Sequence, residues 1–316
     1  TEEDQTLTDL AEIFFLPFLS RPLTTTDADF DFWSGRIGAD YSFDDNTMVY
    51  AYAARGVKSG GINGTSLDAN NPFRIFEPEI NWTYELGIKT DIFNGRGLLN
   101  AAVYYIDWTD LQSTAPADLN AGPVTVNGSG AESIGIEIDG SFDVTDNFTV
   151  RVATTYIDAT YDSDFVDAAV QARCGINNSP FEPVSACSPA TGGNQIANTS
   201  DFQFFGTGIY TWPEAIGSFD AYARASYSFE AGRHPESLNL AKSEDVGLVN
   251  LRAGLRNGKT EVALWMDNAL DEEYLARATR VSEAAANAVC PSCGISSTQL
   301  IMANGRSWGL RVKHNF

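Results

Sequence analysis

The sequence predicts an all-β fold, specifically a transmembrane antiparallel up-and-down β-barrel. Three observations predict it: apolar and polar residues alternate with a period of two, many alternating segments are long, and short connections alternate with long ones. Strands of soluble sheets have about 5–6 residues, whereas about 9–11 are needed to cross a bilayer at a tilt. Alternation alone also permits a soluble sandwich or jelly roll, but strand length and connection lengths together favour the membrane barrel.

The alternation is clear from Trp82 to Ile92, where apolar and polar side chains take opposite faces, and it recurs from Phe219 to Phe229. This pattern is typical of a strand with one apolar face. About eleven such strands are predicted. They cover roughly residues 32–43, 46–57, 81–93, 97–112, 131–143, 147–160, 202–212, 218–230, 247–256, 260–275 and 304–316.

Connection lengths are sorted by side. Short turns follow the odd-numbered predicted strands, and Asn94-Gly95 and Asn257-Gly258 are hairpin signals because primed turns need positive φ. Long connections follow the even-numbered strands, at about residues 58–80, 113–130, 161–201, 231–246 and 276–303. Short periplasmic turns and long extracellular loops are the plan of outer-membrane barrels.

Composition excludes two classes of protein. The net charge of -22 argues against a nucleic-acid partner, whose phosphates would be repelled. No segment approaches the roughly 18 consecutive apolar residues of a transmembrane helix. Residues 1–31 carry eight carboxylates and one basic residue, Arg21. We therefore divide the chain into 1–31, an acidic loop or preceding extracellular segment, and 32–316, the barrel segment.

Four cysteines, Cys174, Cys187, Cys290 and Cys293, lie in the predicted long loops. An even number in the loops of an exported protein suggests disulfides, and three pairings are open. The alternatives are a redox Cys-x-x-Cys, which would want a helix N-terminus, and a zinc site, which would need all four thiolates together.

Four segments resemble, in order, parts of the C-terminal barrel of the TonB-dependent receptor family. They are Gly56-Val57-Lys58-Ser59-Gly60-Gly61-Ile62-Asn63, Pro78-Glu79 with Tyr84-Glu85-Leu86-Gly87-Ile88-Lys89, Asn268-Ala269-Leu270-Asp271-Glu272-Glu273-Tyr274, and Gly305-Arg306 through Phe316. The resemblance covers nearly all of the chain after about residue 30.

The resemblance implies a receptor in the outer membrane of a Gram-negative bacterium that takes up a scarce nutrient, most often a ferric siderophore. It implies that outer-membrane lipid surrounds the barrel, that a plug fills the lumen and that the TonB complex supplies energy through this plug. Plugged barrels have about 22 strands, so we expect the plug and about half of the wall to lie outside these residues. The alternative is a passive pore or an adhesin-like barrel.

Substrate contacts are expected from the long loops and the upper lumen. Basic side chains suit an anionic ferric chelate, and aromatic rings can stack on catechol or sugar rings. The candidates are Arg55, Lys58, Asn63, Phe73, Arg74, Phe76, Trp108, Gln112 and Asn127. The alternative is that the basic residues pair with lumen carboxylates and the phenylalanines pack their own loop.

The terminal strand carries a possible assembly signal. Apolar residues alternate up to the terminal aromatic, which resembles the signal read by the barrel-assembly machinery. Its residues are Trp308, Leu310, Val312 and Phe316. His314 stands on the same face, where the family more often has an aromatic residue.

No catalytic site, metal site or cofactor is predicted. A Ser-His-acid site would have to use His234, which lies in a presumed loop without a nucleophile elbow. Asp162, Asp164 and Asp167 lack the spacing of a twelve-residue calcium loop. The sequence therefore predicts a receptor or transporter rather than an enzyme.

Overall fold

A computed structural model describes residues 2–9, 24–64, 74–116, 123–167, 191–282 and 296–316. Within these ranges no helix is long and apolar enough to cross a membrane. The strands, in chain order, are β1 (Glu2–Asp9), β2 (Thr24–Asp31), β3 (Gly35–Ser42), β4 (Thr47–Lys58), β5 (Gly61–Ile62), β6 (Ile75–Phe76), β7 (Glu79–Ile92), β8 (Gly97–Thr109), β9 (Gln112–Pro116), β10 (Pro123–Asn127), β11 (Gly130–Thr145), β12 (Phe148–Tyr161), β13 (Phe202–Ile216), β14 (Phe219–Glu230), β15 (Val246–Arg256), β16 (Thr260–Asp267), β17 (Leu275–Ser282), β18 (Ser296–Met302) and β19 (Ser307–His314).

Eleven strands form one large sheet in the order β19-β16-β15-β14-β13-β12-β11-β8-β7-β4-β3. All neighbours are antiparallel, and each strand pairs with the sheet strand that precedes or follows it along the chain. The number, order and approximate position of the predicted strands are therefore confirmed. The sheet has the meander connectivity of an up-and-down barrel.

The two faces of the sheet differ in chemistry because successive side chains point to opposite sides. One face, which we call the outer face, exposes large apolar side chains; Ile37 is 76% exposed and Leu310 is 64% exposed. The opposite face, the inner face, carries polar and charged groups such as Glu85 and Arg252. A soluble protein would cover so extensive an apolar surface, whereas lipid would cover it in a membrane barrel.

Short turns close the hairpins on one side of the sheet. In the turn between β7 and β8, Asn94 and Gly95 adopt positive φ of 57° and 80°, as the Asn-Gly pair predicts. In the turn between β15 and β16, the Asn257 side chain accepts a hydrogen bond from the Thr260 amide at 2.8 Å.

Four small hairpins form in segments that the sequence analysis treated as loops. These are β1–β2, β5–β6, β9–β10 and β17–β18. The first falls within residues 1–31, where Glu2–Asp9 pairs with Thr24–Asp31 outside the large sheet. The four ladders have two to eight residue pairs and lie outside the large sheet.

Strand β16 ends at Asp267, earlier than the predicted end near residue 275. Asn268 and Asp271 turn the chain, with positive φ of 49° and 59°. The buried Asn268 amide donates to the Glu272 carbonyl and accepts from the Glu272 amide, both at 2.8 Å. The Asn-Ala-Leu-Asp segment is therefore a locked turn rather than part of a strand.

Candidate functional site

Three small hairpins meet on the long-loop side of β4, β7 and β8. They are β1–β2, β5–β6 and β9–β10, and together we call them the loop platform. Backbone contacts join β5 to β1 and β2, and β6 to β10. Phe30, Val124 and Val126 are nearly fully buried and give the platform a small apolar core. The Gly60 backbone lies against Phe30 so closely that a Cβ there would be 2.5 Å from the ring.

Buried polar side chains tie the platform together. The Asn63 side chain is 6% exposed; it donates to the Thr125 carbonyl and accepts from the Thr125 amide, both at 2.8 Å. Arg74 is 2% exposed and donates through Nε to the Thr26 hydroxyl at 3.0 Å. Two of the predicted substrate-contact residues thus hold one hairpin against another.

Gln112 and Asn127 clamp the platform to the strand ends. Gln112 donates through Nε2 to the carbonyls of Ser59 and Glu77, at 2.9 and 3.1 Å. Asn127 accepts from the Glu77 amide at 2.7 Å and donates to the Glu77 carbonyl at 2.8 Å. These bonds join the segment after β8 to the segment between β4 and β7.

The remaining described candidates differ in direction. Lys58 projects from the end of β4, with its side chain 62% exposed and Nζ 3.9 Å from a Glu79 carboxylate oxygen. Trp108 takes the inner face beside Asn81. Phe76 ends the short β6 strand and is half-buried.

Arg55 faces the outer side. Its guanidinium lies 4.5 Å from the Trp33 ring centroid and donates to the Trp33 carbonyl. Trp33 packs edge-on against Trp82 at 5.7 Å between centroids, and Trp82 stacks on Tyr84. This aromatic group lies at the long-loop end of the outer face, where interface girdles are expected.

Phe73 and the four cysteines lie outside the described residues, so the predicted disulfides stay predictions. Among the described residues, no three His, Cys, Asp or Glu side chains are grouped so that they could hold a metal ion.

The inner face carries a set of polar groups that the sequence analysis did not name as candidate substrate contacts. Both Tyr50 and Tyr52 donate to Glu85, at 2.7 and 2.6 Å. The Arg36 guanidinium lies 3.7 Å above the Tyr52 ring, and Lys89 lies 5.7 Å from the Tyr50 ring. The spacing of two tyrosines on one face of β4, opposite Glu85, was a signal that could have found them.

Glycine at position 87 makes this arrangement possible. The Tyr50 ring crosses over Gly87 on its way to Glu85, and a Cβ at position 87 would lie 2.4 Å from that ring. Together with Arg36 and Lys89, these groups line an open inner pocket of about 540 Å³. Glu85 and Gly87 of the Tyr-Glu-Leu-Gly segment therefore belong to a hydrogen-bonded patch on the inner wall, whereas Tyr84 and Leu86 face outward.

A second group of loops covers the ends of β12 to β15. Phe165 is 2% exposed and stacks on Tyr161 at 4.2 Å, while Asn194 donates to the Ser237 carbonyl at 2.8 Å. Gln195 and Asn239 bond reciprocally at 2.7 and 3.0 Å. These segments, residues 162–167, 191–201 and 231–245, form the second loop cluster.

Asp162 lies in this cluster, just beyond β12. Burial raises the pKa of its carboxyl above the ordinary value, and the negative charges of Asp164, Asp107 and Glu132 raise it further. The side chain therefore binds a proton more readily in the folded loop than in an unfolded chain.

The predicted assembly residues lie on the outer face. Trp308 is 74% exposed, and Leu310 and Val312 are each 64% exposed. Strand β19 ends at His314, whose ring bonds the Thr260 hydroxyl at 2.9 Å and packs edge-on against Phe316. The terminal Phe316 thus lies two residues beyond the assigned strand end.

The chain matches the family model described as "TonB dependent receptor-like, beta-barrel" over residues 9–269. A probable TonB-dependent siderophore receptor, PiuA of Acinetobacter baumannii, is 28% identical over 156 residues, which are 47% of this chain and 20% of that protein.

Solved structures with low identity share the fold. The ferric yersiniabactin uptake receptor FyuA of Yersinia pestis aligns with a TM-score of 0.70 at 16% identity, covering 100% of this chain and 42% of that one. The copper transporter OprC aligns with a TM-score of 0.63 at 13% identity, covering 100% of this chain and 44% of that one. The chain thus spans less than half the length of these proteins.

Proposed function

Because this chain belongs to the TonB-dependent receptor family and forms part of its β-barrel in the outer membrane of a Gram-negative bacterium, we propose that the whole protein is a receptor for energised uptake of a scarce nutrient. The observation that carries this proposal is the family match across most of the sheet. The family consists of transporters and receptors, and we infer no enzymatic role.

We propose a ferric siderophore as the substrate. PiuA is described as a probable siderophore receptor, and FyuA as a ferric yersiniabactin uptake receptor. OprC is described as a copper transporter, and it shares the same fold. The fold therefore does not identify the transported substrate. The siderophore proposal rests on the sequence similarity to PiuA.

We propose that the substrate sits above the loop platform and against the inner wall. Lys58 offers an exposed positive charge, and Trp108 offers an aromatic ring on the inner face. Four platform residues would act indirectly, by holding the loops around this site in place. They are Asn63, Arg74, Gln112 and Asn127. Phe73 and Phe76 remain candidates as predicted from the sequence. Arg55, which the sequence analysis also named, packs on Trp33 at the outer face and so lies away from this proposed site.

The proposed partners follow from the same family membership. They are outer-membrane lipid against the outer face, a plug and the rest of the barrel wall against the inner face and sheet edges, and the TonB complex acting through the plug. The barrel-assembly machinery would read the outer-facing Trp308, Leu310, Val312 and Phe316.

Binding to the full-length receptor tests the substrate proposal. The purified receptor in detergent is titrated with a panel of ferric siderophores, and quenching of tryptophan fluorescence reports binding. We expect tight binding of one chelate class, weakened about tenfold by Lys58→Ala. Lys259→Ala, in a short turn on the opposite side, is the control and should leave affinity unchanged. Absence of binding by every ferric chelate, with binding of free copper, would reject the siderophore proposal.

A further inference from the structure

The inner face of β14, β15 and β19 carries three arginines close together. Arg224 and Arg252 are direct cross-strand partners on β14 and β15. Arg311 lies on β19, opposite Ala263 of β16. With Trp265, they line a pocket of about 390 Å³ that opens to the inner side. We call this the arginine pocket.

Like charges directly opposite each other on neighbouring strands destabilise a sheet. The pair Arg224 and Arg252 therefore needs nearby negative charge. Glu261 provides part of it, because Arg252 donates to its carboxylate at 2.9 Å. The same Glu261 oxygen also accepts from the Tyr222 hydroxyl at 2.5 Å, so it is already shared.

The other negative group of the pocket is Asp267, at the end of β16. Three guanidinium groups thus face two carboxylates. Arg224 donates through Nε to the neutral Thr207 hydroxyl at 3.2 Å. The Arg252 Nε is buried and has no hydrogen-bond partner among the described residues. The three arginines therefore carry more positive charge than the two carboxylates balance. They also have more N–H donors than the described part of the inner wall has acceptors for them.

We propose that Arg224, Arg252 and Arg311 form a carboxylate-binding site on the inner wall. Guanidinium groups bind carboxylates through paired N–H donors, which suits them to this ligand better than lysine. The carboxylate comes from an Asp or Glu side chain of the receptor's own lumen-filling plug or from a free carboxylate ligand. This inference rests on the proposed function in one respect, namely that a plug fills the lumen of the receptor.

The test uses the full-length receptor in detergent at low salt, with the midpoint of thermal unfolding as the readout. Arg224→Gln and Arg311→Gln remove one pocket charge each and leave the bond between Arg252 and Glu261 in place. Lys259→Gln is the control, because it removes an exposed charge in the short turn between β15 and β16, outside the pocket. Arg311→Lys keeps the charge and removes the fork of donors.

We expect both glutamine variants to lower the midpoint by several degrees, Arg311→Lys to lower it less, and Lys259→Gln to leave it nearly unchanged. If citrate raises the midpoint of the wild type and not that of Arg224→Gln, the site takes a free carboxylate. If citrate has no effect while the glutamine variants lose stability, the site is filled by a carboxylate of the receptor.

A higher midpoint in Arg224→Gln and Arg311→Gln, without a citrate response, would overturn the proposal, because it would mean that repulsion between the arginines is simply relieved. Equal losses in the control and the pocket variants would overturn it as well. Thermal unfolding is measured without any transport. The result for the arginine pocket can therefore be interpreted even if the uptake proposal fails.

Discussion

Replacing Asn63 by alanine should release the β9–β10 hairpin from the loop platform. The substitution leaves the amide and the carbonyl of Thr125 facing a methyl group. A buried polar group without a partner costs about 1–3 kcal/mol. Because Thr125 is only half-buried, water recovers part of this cost, and we expect a loss of about 2–4 kcal/mol in local stability.

Hydrogen exchange of the full-length receptor measures this loss directly. Since about 1.4 kcal/mol corresponds to a factor of ten, amides of β9 and β10 should exchange about 30- to 700-fold faster in Asn63→Ala. Asn63→Asp keeps the acceptor but places a carboxylate oxygen against the Thr125 carbonyl, so it should increase exchange at least as much as Asn63→Ala. Lys58→Ala is the control, because it removes an exposed ion pair worth about 1 kcal/mol or less. Wild-type exchange of the hairpin in Asn63→Ala would refute a structural role for the Asn63 amide.

Three further substitutions test the turn, the second loop cluster and the inner wall. Asn268→Ala loses two hydrogen bonds to Glu272 and puts alanine at positive φ, so it should destabilise the full receptor in thermal unfolding by about 2–4 kcal/mol. Asn268→Gly should recover about 1 kcal/mol of this loss, because glycine adopts positive φ without strain. Equal losses in the two variants would argue against backbone strain at this position. Asp162 has a raised folded pKa, so its stabilising contribution is complete below the unfolded pKa and is lost as pH rises through the folded pKa. Asp162→Asn should therefore slow hydrogen exchange of the second loop cluster at neutral pH and flatten its pH dependence, whereas faster exchange would contradict the assigned burial. Gly87→Ala should displace the Tyr50 ring and cost about 1–3 kcal/mol in thermal unfolding, and an unchanged midpoint would show that the ring is not held there.

The large sheet could be predicted from the sequence because many of its strands are long and alternate between apolar and polar residues. Each of the eleven strands has one apolar face, and the short turns contain Asn-Gly or similar residues with known conformations. The end of β16 was missed because residues 260–275 are mixed in polarity, and only the buried Asn268 amide reveals the turn.

The location of the candidate residues could be predicted from the sequence, but their contacts could not. Asn63, Gln112 and Asn127 were selected as polar residues of long loops, and they do lie together at one end of the sheet. That these side chains form hydrogen bonds between loops could not be predicted, because the partners are more than 30 residues apart in the chain, as Asn127 and Glu77 are. The facing arginines Arg224 and Arg252 required the register of β14 and β15, which no local pattern specifies.

The most direct test of the central claim is uptake of radiolabelled iron, supplied as the ferric siderophore that the receptor binds. Cells producing the full-length receptor are compared with cells lacking it, each with and without a protonophore that collapses the inner-membrane gradient. The account predicts that receptor-dependent uptake saturates at low chelate concentration and stops when the gradient is collapsed. Uptake that persists without the gradient and rises in proportion to concentration would contradict it and would indicate a passive pore.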